Sequence, residues 1–190
     1  MSESTSVPDT PEPRNDTEVA RPPNFELRNA GAGPDPLTLE HVTSEVDFAI
    51  LLLLRDYHCP KCRAQVQRVE SKAEEFDAGD AAVIAILPDT YERAVDWQES
   101  YDLSFPLLAD PGGDVNDEYD QPTRFGALGR LHDFIGRMPK AVVLDLRGDA
   151  EVAHSYEGST PADRPQIEDL FDTVEDLQAG FVFDCDLVEC

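Results

Sequence analysis

Apolar residues along the chain fall into two periods. Phe48–Leu54 and Ala81–Leu87 are unbroken apolar runs, the pattern of strands buried on both faces. After Pro60, Val66, Val69, Ala73 and Phe76 recur at helical spacing and predict a helix over Pro60–Phe76. A helix over Thr90–Tyr101, an extended Phe105–Leu108 and a short helix over Asp114–Tyr119 follow. Ala141–Leu146 and Glu151–Tyr156 flank Arg147, Gly148 and Asp149, which is turn chemistry for an antiparallel hairpin. A closing helix is predicted over Ala162–Gln178. Ile167, Leu170, Phe171, Val174 and Leu177 form its inner stripe, and Gly180 is its stop. Buried βαβ units, a hairpin and a closing helix make an α/β fold: three layers, with a mixed central sheet flanked by helices.

The 190 residues suit one domain with a tail at each end. Residues 1–23 are rich in Ser, Thr, Pro, Asp and Glu and read as a disordered acidic N-terminal tail. Residues 24–180 form the domain, and 181–190 a C-terminal tail with two cysteines. The N-terminus shows neither a basic nor an apolar signal region, so the expected location is the cytoplasm.

Charge changes the picture of the solvent more than that of the chemistry. Forty acidic against fifteen basic residues give a net charge of −25. Nucleic-acid and anionic-membrane partners are therefore excluded as binding classes, since both need a positive surface. The longest apolar run, Phe48–Leu54, is too short to cross a membrane. Acidic residues are interleaved with the apolar runs, and Lys occurs only at Lys61, Lys72 and Lys140. Such a surface fits a halophilic cytosol, where concentrated counter-ions screen self-repulsion.

Chemistry concentrates in Arg55-Asp56-Tyr57-His58-Cys59-Pro60-Lys61-Cys62-Arg63, just past the first buried strand. Pro60 suits the first position of a helix, which makes Cys59 the N-cap and places Cys62 one turn in. Unpaired N–H groups and the helix dipole stabilise a thiolate there. Arg55, His58, Lys61 and Arg63 add positive charge, so each effect favours the reactive form of the sulfur. A redox pair is the leading reading, in a compartment where structural disulfides are uncommon. The alternative is a zinc site that Cys185 and Cys190 would complete.

Together with Cys59-Pro-Lys-Cys62, two further blocks resemble the peroxiredoxin-type members of the thioredoxin-fold superfamily, the redoxin or alkyl-hydroperoxide-reductase-like proteins. They are Phe105-Pro-Leu-Leu-Ala-Asp-Pro-Gly-Gly-Asp-Val-Asn-Asp-Glu-Tyr119 and Arg137-Met-Pro-Lys-Ala-Val-Val-Leu-Asp-Leu-Arg-Gly148. The resemblance spans about Phe25–Gln178 and implies a thioredoxin-like fold. It also implies that Pro139 is a cis-proline facing the cysteines, with the main chain of Met138 exposed for a bound partner. In the family's Pro-x-x-x-Thr-x-x-Cys pattern, Arg55 stands at the Pro, Cys59 at the Thr and Cys62 at the peroxidatic Cys. The thioredoxin analogy instead makes Cys59 the nucleophile. Both sulfurs stay candidates, with accessibility leaning toward Cys59.

The resemblance implies an antioxidant oxidoreductase that reduces hydrogen peroxide or organic hydroperoxides without a cofactor. Cys59 and Cys62 would be oxidised, Arg137 would stabilise the leaving oxygen, and a thioredoxin-like dithiol would recycle the pair. Two other readings stay open, a thiol-disulfide oxidoreductase and a zinc-stabilised, non-catalytic module. Cys185 or Cys190 could serve as a resolving thiol, against an incidental acidic cysteine pair. His132 and His154 have no motif around them. Self-association into a homo-oligomer is left open.

Overall fold

The computed structural model describes residues 21–73, 81–123 and 136–185, with side chains up to residue 180. Seven strands form one mixed sheet: β1 (Glu26–Asn29), β2 (Leu37–Thr38), β3 (Phe48–Leu53), β4 (Ala81–Leu87), β5 (Leu107–Ala109), β6 (Lys140–Asp145) and β7 (Glu151–Glu157). Their order is β2-β1-β5-β4-β3-β6-β7. β3, β4 and β5 run parallel, while β6 is antiparallel to β3 and β7 to β6. The helices are α1 (Leu39–Glu45), α2 (Pro60–Glu70), α3 (Tyr91–Tyr101), α4 (Asp114–Glu118) and α5 (Ile167–Cys185).

The two apolar runs do what continuous hydrophobicity predicts. Every residue of β3 is buried, because helices cover both faces of the sheet. Phe48, Ile50 and Leu52 face a core built with Val66 of α2, Trp97 of α3 and Leu170 of α5. Ala49, Leu51 and Leu53 face the other side, against Val42 of α1 and Val115 of α4. The expected α/β, thioredoxin-like architecture of three layers is present.

Three expected boundaries move. The helix predicted to reach Phe76 ends at Glu70, where the Ser71 hydroxyl donates to the Arg68 carbonyl at 2.7 Å and competes with the helical ladder; Phe76 itself lies outside the described residues. The closing helix begins at Ile167 rather than Ala162, since Pro161 and Pro165 hold the preceding segment out of helical geometry. It then runs through Gly180 to Cys185, because one glycine costs a helix only about 1 kcal/mol. Residues 1–20 and His132 also lie outside the described residues.

Candidate active site

The site grows from the end of β3. Leu54 still donates to Ile86 at 2.9 Å, and the chain then turns through Arg55–His58 into α2. Cys59 is the N-cap, as expected: its Sγ accepts the Cys62 N–H at 3.1 Å, and Pro60 opens the helix without needing a donor. Cys59 and Cys62 are joined as a disulfide, with Cα atoms 5.3 Å apart. Both are buried, 3% and 0% exposed, so accessibility separates them only slightly. The Arg55 N–H points at the Cys62 sulfur, 3.5 Å away.

The local cations divide their work. His58 and Lys61 are exposed. The Arg63 guanidinium donates to the Tyr57 carbonyl at 3.1 and 3.3 Å and lies 5.0 Å from the Tyr57 ring centroid. Arg55 donates through Nε to the carbonyl of Arg137 at 2.6 Å. The side chain of Arg137 donates to Asp117 at 2.6 Å and to the Gly113 carbonyl at 3.2 Å. A cleft of about 230 Å³, lined by Asp56, His58, Asp89, Thr90 and Arg93 among others, opens beside the cysteine turn.

Sequence reasoning missed the side chain that touches both sulfurs. Nη2 of Arg164 donates to Cys59 Sγ and to Cys62 Sγ, each at 3.1 Å. Arg164 comes from the segment between β7 and α5, and its Nη1 is braced on the Pro161 carbonyl at 3.0 Å. Burial lowers its pKa to about 10, with Arg55 acting in the same direction and Asp56 opposing, so it stays a cation at neutral pH. An arginine between an aspartate and a proline carries no motif, which is why it could not be singled out.

Pro139 is corrected. Its peptide bond with Met138 is trans, and the one cis bond among the described residues joins Asp35 to Pro36. The Met138 main chain is already paired within the chain. Its N–H donates to the Pro122 carbonyl at 2.7 Å, and its carbonyl accepts from Gln121 Nε2 at 3.0 Å. The Pro139 carbonyl instead accepts the Gly158 N–H at 2.8 Å, tying β6 to the loop that carries Arg164.

Among the described residues, no group of three His, Cys, Asp or Glu side chains is placed to hold a metal ion. The side chains of Cys185 and Cys190, which the zinc reading requires, lie outside the described residues. No helix among the described residues is long and apolar enough to cross a membrane.

A strand, a turn and a helix that starts on paired sulfurs, set in a mixed sheet with helices on both faces, make up a thioredoxin-like fold. The chain belongs to the AhpC/TSA family, whose model matches residues 20–149. It is similar to the thiol-disulfide oxidoreductase ResA of Oceanobacillus iheyensis, with 24% identity over 143 residues. That match takes in 75% of this chain and 66% of the relative, just under two thirds of its length. Among solved structures it resembles the peroxidoxin BcpB of Mycobacterium tuberculosis, with TM-score 0.66 and 20% identity over 85% of this chain and 96% of that one. It also resembles peroxiredoxin Q of Xanthomonas campestris, with TM-score 0.62 and 14% identity over 82% and 91% of the two chains. These structural likenesses concern the fold.

Proposed function

We propose that the chain is a thiol-dependent peroxide reductase working through Cys59 and Cys62. The joined sulfurs at the start of α2 carry this reading. A Cys59 thiolate attacks the terminal peroxide oxygen, which keeps its hydrogen. The O–O bond breaks, and the departing alkoxide or hydroxide takes a proton from solvent to leave as alcohol or water. The resulting sulfenic acid condenses with the Cys62 thiol, releasing water and forming the disulfide. A thioredoxin-like dithiol then transfers two electrons by exchange, becoming a disulfide itself. Cys59 is preferred as the attacking sulfur because it holds the N-cap position and receives the Cys62 N–H at 3.1 Å.

Both main-chain groups of Met138 already have partners within the chain, so this position offers no free edge to an extended peptide, and a hydroperoxide substrate needs none. Arg137 and Pro139 enter as positioning residues, Arg137 through its carbonyl on Arg55 and Pro139 through its carbonyl on Gly158. The second reading, disulfide exchange with proteins, draws support from the likeness to ResA.

The test is peptide mass spectrometry in multimolar KCl, which screens the net charge of −25. Reduced protein receives one equivalent of hydrogen peroxide and a sulfenic-acid trap. A fast adduct on Cys59 in the Cys62→Ser protein, and a Cys59–Cys62 disulfide in the unaltered chain, are expected. Thiols that survive for many minutes, in protein that still reduces insulin disulfides, would transfer the assignment to the second reading.

A further inference from the structure

One nitrogen of Arg164 reaches both sulfurs of the disulfide at the same distance, 3.1 Å. The guanidinium donates to the two sulfurs and to the Pro161 carbonyl, and its hydrogen bonds fix it there. The loop that holds it is built for the purpose. Asp163 receives the Ser159 N–H at 2.8 Å, the Ser159 hydroxyl at 2.7 Å and the Tyr156 hydroxyl at 2.5 Å. Gly158 fastens the start of the loop to Pro139, and Pro165 leads from Arg164 toward α5.

A disulfide sulfur is a weak acceptor, whereas a thiolate is an anion in direct contact with a cation. The same guanidinium therefore binds the reduced pair more strongly than the oxidised pair. A group with differential affinity for two states shifts the equilibrium between them. Two charged side chains act on it with opposite effect, Arg55 disfavouring its charge and Asp56 favouring it.

We propose that Arg164 sets the redox poise of the Cys59–Cys62 pair, holding the reduced form as a thiolate and making the disulfide easier for a dithiol to reduce. The inference rests on the dithiol chemistry proposed above. In the reducing half-reaction the external dithiol forms its own disulfide as the Cys59–Cys62 bond breaks. Two electrons pass to the pair, which is left as one thiol and one thiolate under Arg164, and one proton is released to solvent. Arg164 touches both reacting sulfurs in the disulfide, which makes it a catalytic residue rather than a brace, and it does so from outside the three sequence blocks that carry the family resemblance.

The experiment equilibrates the full-length protein and its Arg164→Gln and Arg164→Lys variants with graded ratios of reduced to oxidised dithiothreitol in concentrated KCl. The Cys59–Cys62 disulfide fraction is read by alkylation and mass spectrometry. Arg164→Gln should make the disulfide at least about tenfold harder to reduce, a shift near 30 mV. Arg164→Lys, which keeps the charge but cannot span both sulfurs and Pro161, should lie between the two. Absorbance at 240 nm should show less thiolate at neutral pH in the Gln variant, with circular dichroism confirming that each protein is folded. Equal redox equilibria for all three proteins would overturn the proposal, and the Lys variant still decides the matter if the Gln variant does not fold. Peroxide takes no part, so wild-type protein inert toward peroxide but with a tenfold Arg164→Gln effect would leave this inference standing and remove the peroxidase.

Discussion

Arg137 and Asp117 are joined at 2.6 Å, and this ion pair turns the Arg137 guanidinium toward α4. The family motif implies that the same arginine serves the leaving oxygen. Here its side chain clamps Asp117 and Gly113 while its carbonyl receives Arg55. Arg137→Ala should therefore cost about 1–2 kcal/mol of stability, less than a fully buried charged bond because Asp117 is 39% exposed. The rate of sulfenic-acid formation should stay within about threefold of wild type. Stopped-flow peroxide consumption alongside urea denaturation separates the two effects. A hundredfold rate loss at unchanged stability would return Arg137 to the role the motif implies.

Gln121 ties together the backbones that frame the site. Its Nε2 donates to the carbonyls of Leu53, Leu54 and Met138 at 2.9, 3.1 and 3.0 Å, and its Oε1 accepts from Asn116 at 2.8 Å. All of this is buried. Gln121→Leu should lower stability by about 2–4 kcal/mol, or roughly 4–16 °C in Tm, because carbonyls lose their donor without access to water. Calorimetry checks this, and a Tm within a degree of wild type would contradict it.

What could be read in advance was local. The Phe48–Leu54 run, the Cys59 cap and Pro60 at the helix start depend on neighbours in sequence, and the structure places all three as their chemistry requires. Arg164 meets Cys62 across 102 positions, a contact that only the closed fold creates. Gln121, a polar residue in a loop, gives no sign that it will be buried on three carbonyls. Strand β1 carries little apolar signal, because its one fully buried residue is Asn29, an amide that donates to the Ala32 and Pro34 carbonyls, and its Leu27 is only partly buried. The Met138–Pro139 expectation failed for a related reason. The motif is present, but Pro122 and Gln121 claim the main chain that a cis bond would have exposed.

Acid should loosen the contact between α2 and α5. Glu168 accepts Arg68 at 2.5 Å and Lys72 at 3.2 Å. Its own backbone N–H first, and Arg68 next, lower its pKa from 4.5 to about 2. A carboxylate with a depressed folded-state pKa stabilises the fold above its unfolded pKa, and that contribution is lost as pH falls through the folded value. Stability should therefore decline from about pH 4.5 toward pH 2 more steeply in wild type than in Glu168→Gln. Urea midpoints at several pH values test this, and parallel curves for the two proteins would refute it.

Gly158 places the arginine loop. It is buried, its N–H is bonded to the Pro139 carbonyl at 2.8 Å, and a Cβ there would collide with the Asp163 carbonyl and come within 3.1 Å of the Pro139 ring. Both obstacles belong to the structures that position Arg164, so the strain is relieved only by moving the loop away from β6. Gly158→Ala should lose about 1–3 kcal/mol, as overpacking of a fitted site does. More tellingly, it should shift the dithiothreitol equilibrium in the same direction as Arg164→Gln, since a displaced guanidinium no longer holds both sulfurs. The Gly158→Ala, Arg164→Gln double variant separates this from a general loss of packing. If the loop acts through Arg164, the glycine substitution changes the redox equilibrium of wild type but has little further effect once the arginine is gone. Equal shifts in both backgrounds would mean that Gly158 acts on the disulfide by some other path.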